Sequence, residues 1–259
     1  MTDLTPQNPP SSLASPPASS PASPPTSPRC WVLIPCAGSG SRAGSAGPKQ
    51  YQPLAGQPLV AHTLAAFAAT PGLAGVLVVV ASGDNTLEQA GLAEGCHVAD
   101  CGGASRAESV LNGLGVLSTL GAVADDWVLV HDAARCLITP AQVRALIEAC
   151  WNDPVGGLLA QPLADTLKSG AAGRVAATLD RQDKWLAQTP QMFRLGLLQQ
   201  ALGASGLAVT DEAAAVEALG FSPLLVPAAG VNFKVTYPDD FALAAAVLQA
   251  RQAVLEAKP

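Results

Sequence analysis

Short continuous apolar runs, separated by helical spacing and polar loops, constrain this chain more than any other feature. Cys30–Ile34 (CWVLI), Val76–Val80 (VLVVV) and Trp127–Val130 (WVLV) show no alternation. A strand of that kind is covered on both faces. Between the runs the period changes: Leu59, Val60, Leu64 and Phe67, and then Val110, Leu111, Leu114 and Leu117, recur at helical spacing. Thr139-Pro140-Ala141-Gln142 opens a further helix with a capping box and proline at its first position. Gly157 to Leu163 reads as another strand, with a weaker one at His97–Ala99. Strands alternating with helices predict an α/β fold with a mostly parallel sheet and helices on both faces. In such sheets ligands lie beyond the carboxyl ends of the strands. Three polar clusters fall there: the loop after Ile34, Gly102-Gly103, and Asp132 to Arg135.

The first cluster, Pro35-Cys-Ala-Gly-Ser-Gly-Ser-Arg42-Ala-Gly44 followed by Pro48-Lys49-Gln50-Tyr51, is built for an anion. Glycine lets backbone N–H groups turn toward a ligand, and clustered amides favour phosphate. Arg42 and Lys49 arrive within one loop's reach in a chain with only 13% charged residues. Fixed cations beside a transferring phosphorus stabilise the transition state over the ground state. A Walker loop is excluded, because Lys49 follows Pro48 and precedes Gln50. A dinucleotide fingerprint is disfavoured, since Gly44 comes one residue late and Ala55–Thr63 contains no acid. No Tyr-x-x-x-Lys follows Tyr51 or Tyr237, which argues against a Rossmann-type oxidoreductase.

Of the 259 residues, the first 28 read as a disordered Pro/Ser-rich tail, and 29–259 as one domain. Net charge −6 argues against a nucleic-acid surface. The longest apolar stretch is broken by Thr70-Pro71-Gly72, so no membrane span is expected. Six scattered cysteines without metal spacing point to a reducing, cytoplasmic setting. From Ala164 to about residue 190 the pattern loosens into an extended arm or hairpin, of the kind that is functional or forms a subunit contact. Arg181 and Lys234 each follow an extended segment without a helical acidic partner, and suit the phosphate of a second substrate. Asn232–Thr236 is expected to be a short strand. Asp132 suits a metal, a sugar hydroxyl or the cap of the next turn, and His131 a satisfied near-core histidine. Near the start of the helix after Gly103, a serine cap and a solvent-facing Arg106 are expected.

Taken in order, Ile34–Arg42, Pro48–Tyr51, Gly102–Ser109, His131–Arg135, Asp165-Thr166, Asp180-Arg181, Gln188–Gln191, Thr210–Glu212 and Asn232–Thr236 resemble one family. It is the 2-C-methyl-D-erythritol 4-phosphate cytidylyltransferases of non-mevalonate isoprenoid synthesis. The resemblance implies a Rossmann-like sheet with a projecting β-arm for dimerisation. It also implies transfer of a cytidylyl group from CTP to a sugar-alcohol phosphate with Mg2+. By family position Arg42 and Lys49 would stabilise the reacting phosphorus, and Arg181 and Lys234 would hold the sugar phosphate. Ala37, Gly38, Gly103 and Ser109 would surround the cytidine, with Asp132, Arg135, Thr166 and Thr189 nearby. The arm of a homodimer would carry Thr166 and Arg181 into the partner's site. The nearest rival activity is a ribitol-5-phosphate cytidylyltransferase. The chain departs from the family pattern at Cys36, Ala43 and Cys136.

Overall fold

All three apolar runs form central strands. A computed structural model describes residue 1 and residues 27–38, 47–205 and 209–256. Arg42 and nearly all of the proposed tail therefore lie outside the described residues. β1 (Cys30–Pro35), β4 (Gly75–Val79), β5 (His97–Ala99) and β6 (Trp127–Val130) run parallel, with Leu33 opposite Leu77 on one side and Val130 on the other. β7 (Gly156–Pro162), β10 (Trp185–Arg194) and β11 (Leu224–Pro227) complete a seven-stranded sheet of order β11-β7-β10-β6-β1-β4-β5. β10 is antiparallel to both its neighbours, and the other neighbouring pairs are parallel.

The unbroken apolar runs follow from this arrangement. Along β1, Val32 and Ile34 enter one core with Val78, Leu129 and Phe67, while Trp31 and Leu33 enter the opposite core with Leu77, Val128 and Leu114. Each fully buried aliphatic side chain contributes about 1.5–3 kcal/mol, so the central strands carry much of the stability. α1 (Leu59–Ala68) and α4 (Pro140–Cys150) cover one face; α3 (Arg106–Thr119), α5 (Leu195–Ala204) and α6 (Glu212–Ala218) cover the other. The capping box at Thr139 and Gln142 forms as expected. A third cluster, including Leu54, Leu59, Leu137, Val235 and Ala244, seats α7 (Pro238–Glu256) against the small hairpin of β2 (Pro53–Leu54) and β3 (Gln57–Pro58). α2 (Thr86–Gln89) is a single turn.

The sheet begins at a buried carboxylate. Asp126 accepts from Arg29 N (2.8 Å), Arg29 Nη2 (2.8 Å), Trp31 Nε1 (3.1 Å) and Val123 N (3.0 Å). Burial would raise that carboxyl, but these donors hold it below the usual range.

The loosened segment forms a hairpin, β8 (Leu167–Ala171) with β9 (Arg174–Leu179), outside the main sheet and with every β9 residue exposed. Asn232–Thr236, expected as a strand, is irregular. It crosses the strand ends instead of joining the sheet, meeting Ala134 through one backbone hydrogen bond from Val235 N (2.9 Å).

Two helical glycines test the packing. A Cβ on Gly113 would lie 2.7 Å from Val79 Cγ2 and 2.8 Å from Leu33 Cδ1, whereas one on Gly115 would meet nothing within 4 Å. Gly113→Ala should lower stability by about 1–3 kcal/mol through overpacking. Gly115→Ala should raise the melting temperature by about 2–4 °C through helix propensity. Thermal melts of the two variants check the opposite signs.

Candidate active site

Beyond the carboxyl ends of β1 and β6 lies a cavity of about 550 Å3. Its walls come from Pro35–Gly38 after β1, Lys49-Gln50, Gly103–Arg106 and Ser109 at the start of α3, Asp132–Ala134 after β6, and Lys234. Buried Gln50 shapes the first wall, its Nε2 donating to Cys36 O (2.7 Å) and Gly38 O (3.0 Å). The second wall can touch the first because residue 102 is glycine: a Cβ there would lie 2.3 Å from Ala37 Cβ and 2.7 Å from Val80 O. Ser105, not Ser109, caps α3, accepting from Glu108 N (3.1 Å). Ser109 Oγ accepts from Gly103 N (3.0 Å) and donates to Ser105 O (2.9 Å), closing the loop on the helix.

Charge gathers around Asp132, which is 7% exposed. Its Oδ1 accepts from Arg106 Nε (2.6 Å), and its Oδ2 from Lys234 Nζ (2.7 Å), with Arg135 Nε 3.9 Å from Oδ2. Arg106 places its other two nitrogens on fully buried Glu212, Nη1 at 2.6 Å and Nη2 at 3.1 Å. Burial would raise the Asp132 carboxyl, but the charges of Arg106 and Lys234 outweigh it and hold the group far below the usual carboxylate range. Burial pushes Glu212 up, and the arginine pulls against it. Asp132 therefore meets cations on both oxygens, Arg106 on one and Lys234 on the other. Among the described residues no three His, Cys, Asp or Glu side chains gather to hold an ion.

Beneath Asp132 a neutral polar layer sets the backbone. Asp132 N donates to Thr189 Oγ1 (3.0 Å), which lies 3.1 Å from His131 Nδ1, and His131 Nε2 lies 3.2 Å from Arg135 O. A carbonyl only accepts, so Nε2 carries the histidine proton, and Nδ1 takes the threonine hydroxyl's. Burial pushes His131 down to about 3, as a satisfied near-core histidine requires. Arg135 Nη1 donates to Asn232 O (2.9 Å), and Asn232 Nδ2 to Thr189 O (2.9 Å), tying the irregular segment to β10.

Ala37, Gly38, Lys49, Gly103, Ser109, Asp132 and Lys234 thus line one cavity, with Arg135 and Thr189 directly behind it. Thr166 and Arg181 stand exposed at the base of the hairpin, Arg181 donating to Ala164 O, away from this cavity. Arg106, expected to face solvent, is instead paired with Asp132 and Glu212, and no role for Glu212 is visible in the sequence. Nothing local separates them from surface residues, because their partners are 26 and 106 positions away from Arg106. Cys36 and Cys136 are buried, and burial pushes both thiols up to about 12.

The family model described as IspD: 2-C-methyl-D-erythritol 4-phosphate cytidylyltransferase matches residues 30–250. A relative from Ralstonia nicotianae, named 2-C-methyl-D-erythritol 4-phosphate cytidylyltransferase, is 54% identical over 232 residues, covering 85% of this chain and 92% of its own. A bifunctional enzyme IspD/IspF from Albidiferax ferrireducens is 65% identical over 225 residues, covering 86% of this chain; the match spans only 54% of that longer protein. A solved structure titled 4-diphosphocytidyl-2C-methyl-D-erythritol synthase superposes with a TM-score of 0.77 at 38% identity, covering 86% of this chain and all of that one. The Francisella tularensis 2-C-methyl-D-erythritol 4-phosphate cytidylyltransferase structure gives 0.71 at 34% identity, over 83% of this chain and 98% of its own.

His131 gives the site a pH signature. Its folded pKa is depressed to about 3, so below its unfolded value near 6.5 the unfolded chain binds a proton that the folded one refuses. Stability is then full above about pH 6.5 and falls with acid, by about 2 kcal/mol between pH 7 and pH 5. Denaturant unfolding at several pH values checks this, and His131→Asn should remove most of the slope.

Proposed function

The chain belongs to the 2-C-methyl-D-erythritol 4-phosphate cytidylyltransferase family, and on that premise we propose that it transfers the cytidylyl group of CTP to 2-C-methyl-D-erythritol 4-phosphate. A phosphate oxygen of the sugar alcohol attacks the α-phosphorus and forms the new P–O bond. The bond from that phosphorus to the bridging oxygen breaks, and pyrophosphate leaves with the electron pair. One observation carries the reading. Lys49 Nζ donates to Val235 O (2.8 Å), while the neighbouring Lys234 reaches Asp132 (2.7 Å), so two cations from distant loops converge on one segment beside the cavity.

In this reading Lys49 and Arg42 stabilise the charge that develops at the α-phosphorus and the leaving group. The walls built by Ala37-Gly38, Gly103 and Ser109 receive the nucleoside, and Lys234 orients the attacking phosphate. Asp132, held ionised by two cations, keeps them in place. Both Asp132 oxygens are engaged by Arg106 and Lys234 in the ligand-free protein. Mg2+ would accompany the triphosphate, held by substrate oxygens, to neutralise its charge.

Thr166 and Arg181 enter through a homodimer. The exposure of Val175 (67%) and Leu179 (44%) on the hairpin, and the absence of Arg181 from the lining of its own cavity, support an arm that completes the partner's site. A cytoplasmic setting suits the six free cysteines. Among the described residues no helix is long and apolar enough to cross a membrane.

Pyrophosphate release from CTP with methylerythritol phosphate, and separately with ribitol 5-phosphate, tests the assignment: turnover should require the first. Lys49→Ala should lose on the order of 100-fold in kcat while remaining folded. Mixing Lys49→Ala with Arg181→Ala chains tests the arm. If Arg181 acts across the dimer, each mixed dimer regains one intact site, and an equal mixture recovers about a quarter of wild-type activity. No recovery would place both residues in one subunit's site.

A further inference from the structure

Four side chains of alternating charge run from the buried flank of the sheet to the cavity: Glu212, Arg106, Asp132 and Lys234. We infer that Glu212 is a positioning residue for the sugar phosphate, acting through Arg106 and Asp132 to hold the Lys234 ammonium at the cavity edge; this rests on the reading of Lys234 given above.

The inference comes from how the Arg106 nitrogens are shared. A guanidinium favours two parallel N–H bonds to one carboxylate. Here the terminal fork lies on Glu212 (2.6 and 3.1 Å), and Asp132 receives only Nε, on Oδ1 (2.6 Å). Oδ2 is left for Lys234 (2.7 Å). Without the Glu212 charge, the fork would turn to Asp132, take both oxygens and displace the ammonium. Lys234 is a long side chain, 34% exposed, and its rotamers would then disperse.

Glu212 is itself held rigidly. The preceding Asp211 caps α6, accepting from Ala214 N (2.9 Å), and takes Gln191 Nε2 on its other oxygen (2.9 Å). Gln191 Oε1 in turn accepts from Ala213 N (2.7 Å). Both flanks of Glu212 are therefore pinned to β10, and the relay starts from a fixed point. A purely structural role, neutralising a half-buried arginine, would touch both substrates alike. The relay touches one.

The test is a kinetic cycle of wild type, Glu212→Gln, Glu212→Asp, Lys234→Met and Glu212→Gln/Lys234→Met, with each substrate varied separately. Glu212→Gln should raise KM for the sugar phosphate about tenfold and leave KM for CTP within about threefold. Glu212→Asp, which keeps the charge, should recover most of that loss. The double variant should be no worse than Lys234→Met, because the relay ends on Lys234. A double loss equal to the product of the single losses, an equal rise in KM for CTP, or wild-type kinetics in Glu212→Gln would each overturn the inference. If Glu212→Gln does not fold, Glu212→Met, which also removes the charge at similar length, takes its place in the same cycle with Lys234→Met. The cycle is also run on denaturant unfolding of the ligand-free protein, where the relay requires non-additivity between residues that do not touch. If the wild type made no product from methylerythritol phosphate, the functional reading would fall, and additive unfolding energies would separately overturn the relay.

Discussion

One carboxylate, that of Asp132, sets the charge arrangement on which this site depends. It is almost fully buried, and burial alone would favour its neutral form. Arg106 and Lys234, each at hydrogen-bond distance, keep it charged. The dependence is mutual. Removing one member of a buried ionic set typically costs about 3–5 kcal/mol, because the remaining charge loses its partner without regaining water. The cations that a phosphate would meet are thus held by a group that never needs to touch the phosphate.

The sheet explains why Asp132 can serve this way. β6 is the strand between β1 and β10, so its carboxyl end opens beside the residues that follow β1 on one side and the middle of the antiparallel strand on the other. β10 brings Thr189 under the Asp132 backbone and Gln191 to the start of α6, which presents Glu212. The irregular segment near Lys234 lies across the top, joined through Ala134 and Arg135. A regular strand at Asn232–Thr236 would have turned its side chains to alternate faces; the crossing path instead lets Lys234 reach Asp132 and Val235 O reach Lys49.

Much of this was legible in the sequence, for physical reasons that differ from element to element. Strands covered on both faces announce themselves as continuous apolar runs, and α4 announces its start through Thr139, Pro140 and Gln142. The strand-end rule then located the glycine loop, Gly103 and Asp132 at one edge. β10 was not legible, because WLAQTPQMFR contains polar residues whose partners lie elsewhere: Gln188 meets Asn232, and Gln191 meets Asp211. The pairing of Arg106 with Glu212 was hidden for the same reason. A buried ion pair between distant residues leaves no periodic trace in either local segment. The family resemblance supplied a role for Thr166, and the partner's site as the place where Arg181 acts, which neither spacing nor exposed position supplies.

The role of Asp132 is measured most directly by the single-turnover rate of cytidylyl transfer in Asp132→Asn, with CTP and methylerythritol phosphate saturating and the melting temperature recorded alongside. The amide keeps the shape of the side chain but surrenders the charge that holds Arg106 and Lys234. The account predicts a folded protein whose rate falls on the order of 100-fold or more, since the cations no longer stand where the transition state needs them. A folded variant that turns over at the wild-type rate would contradict it.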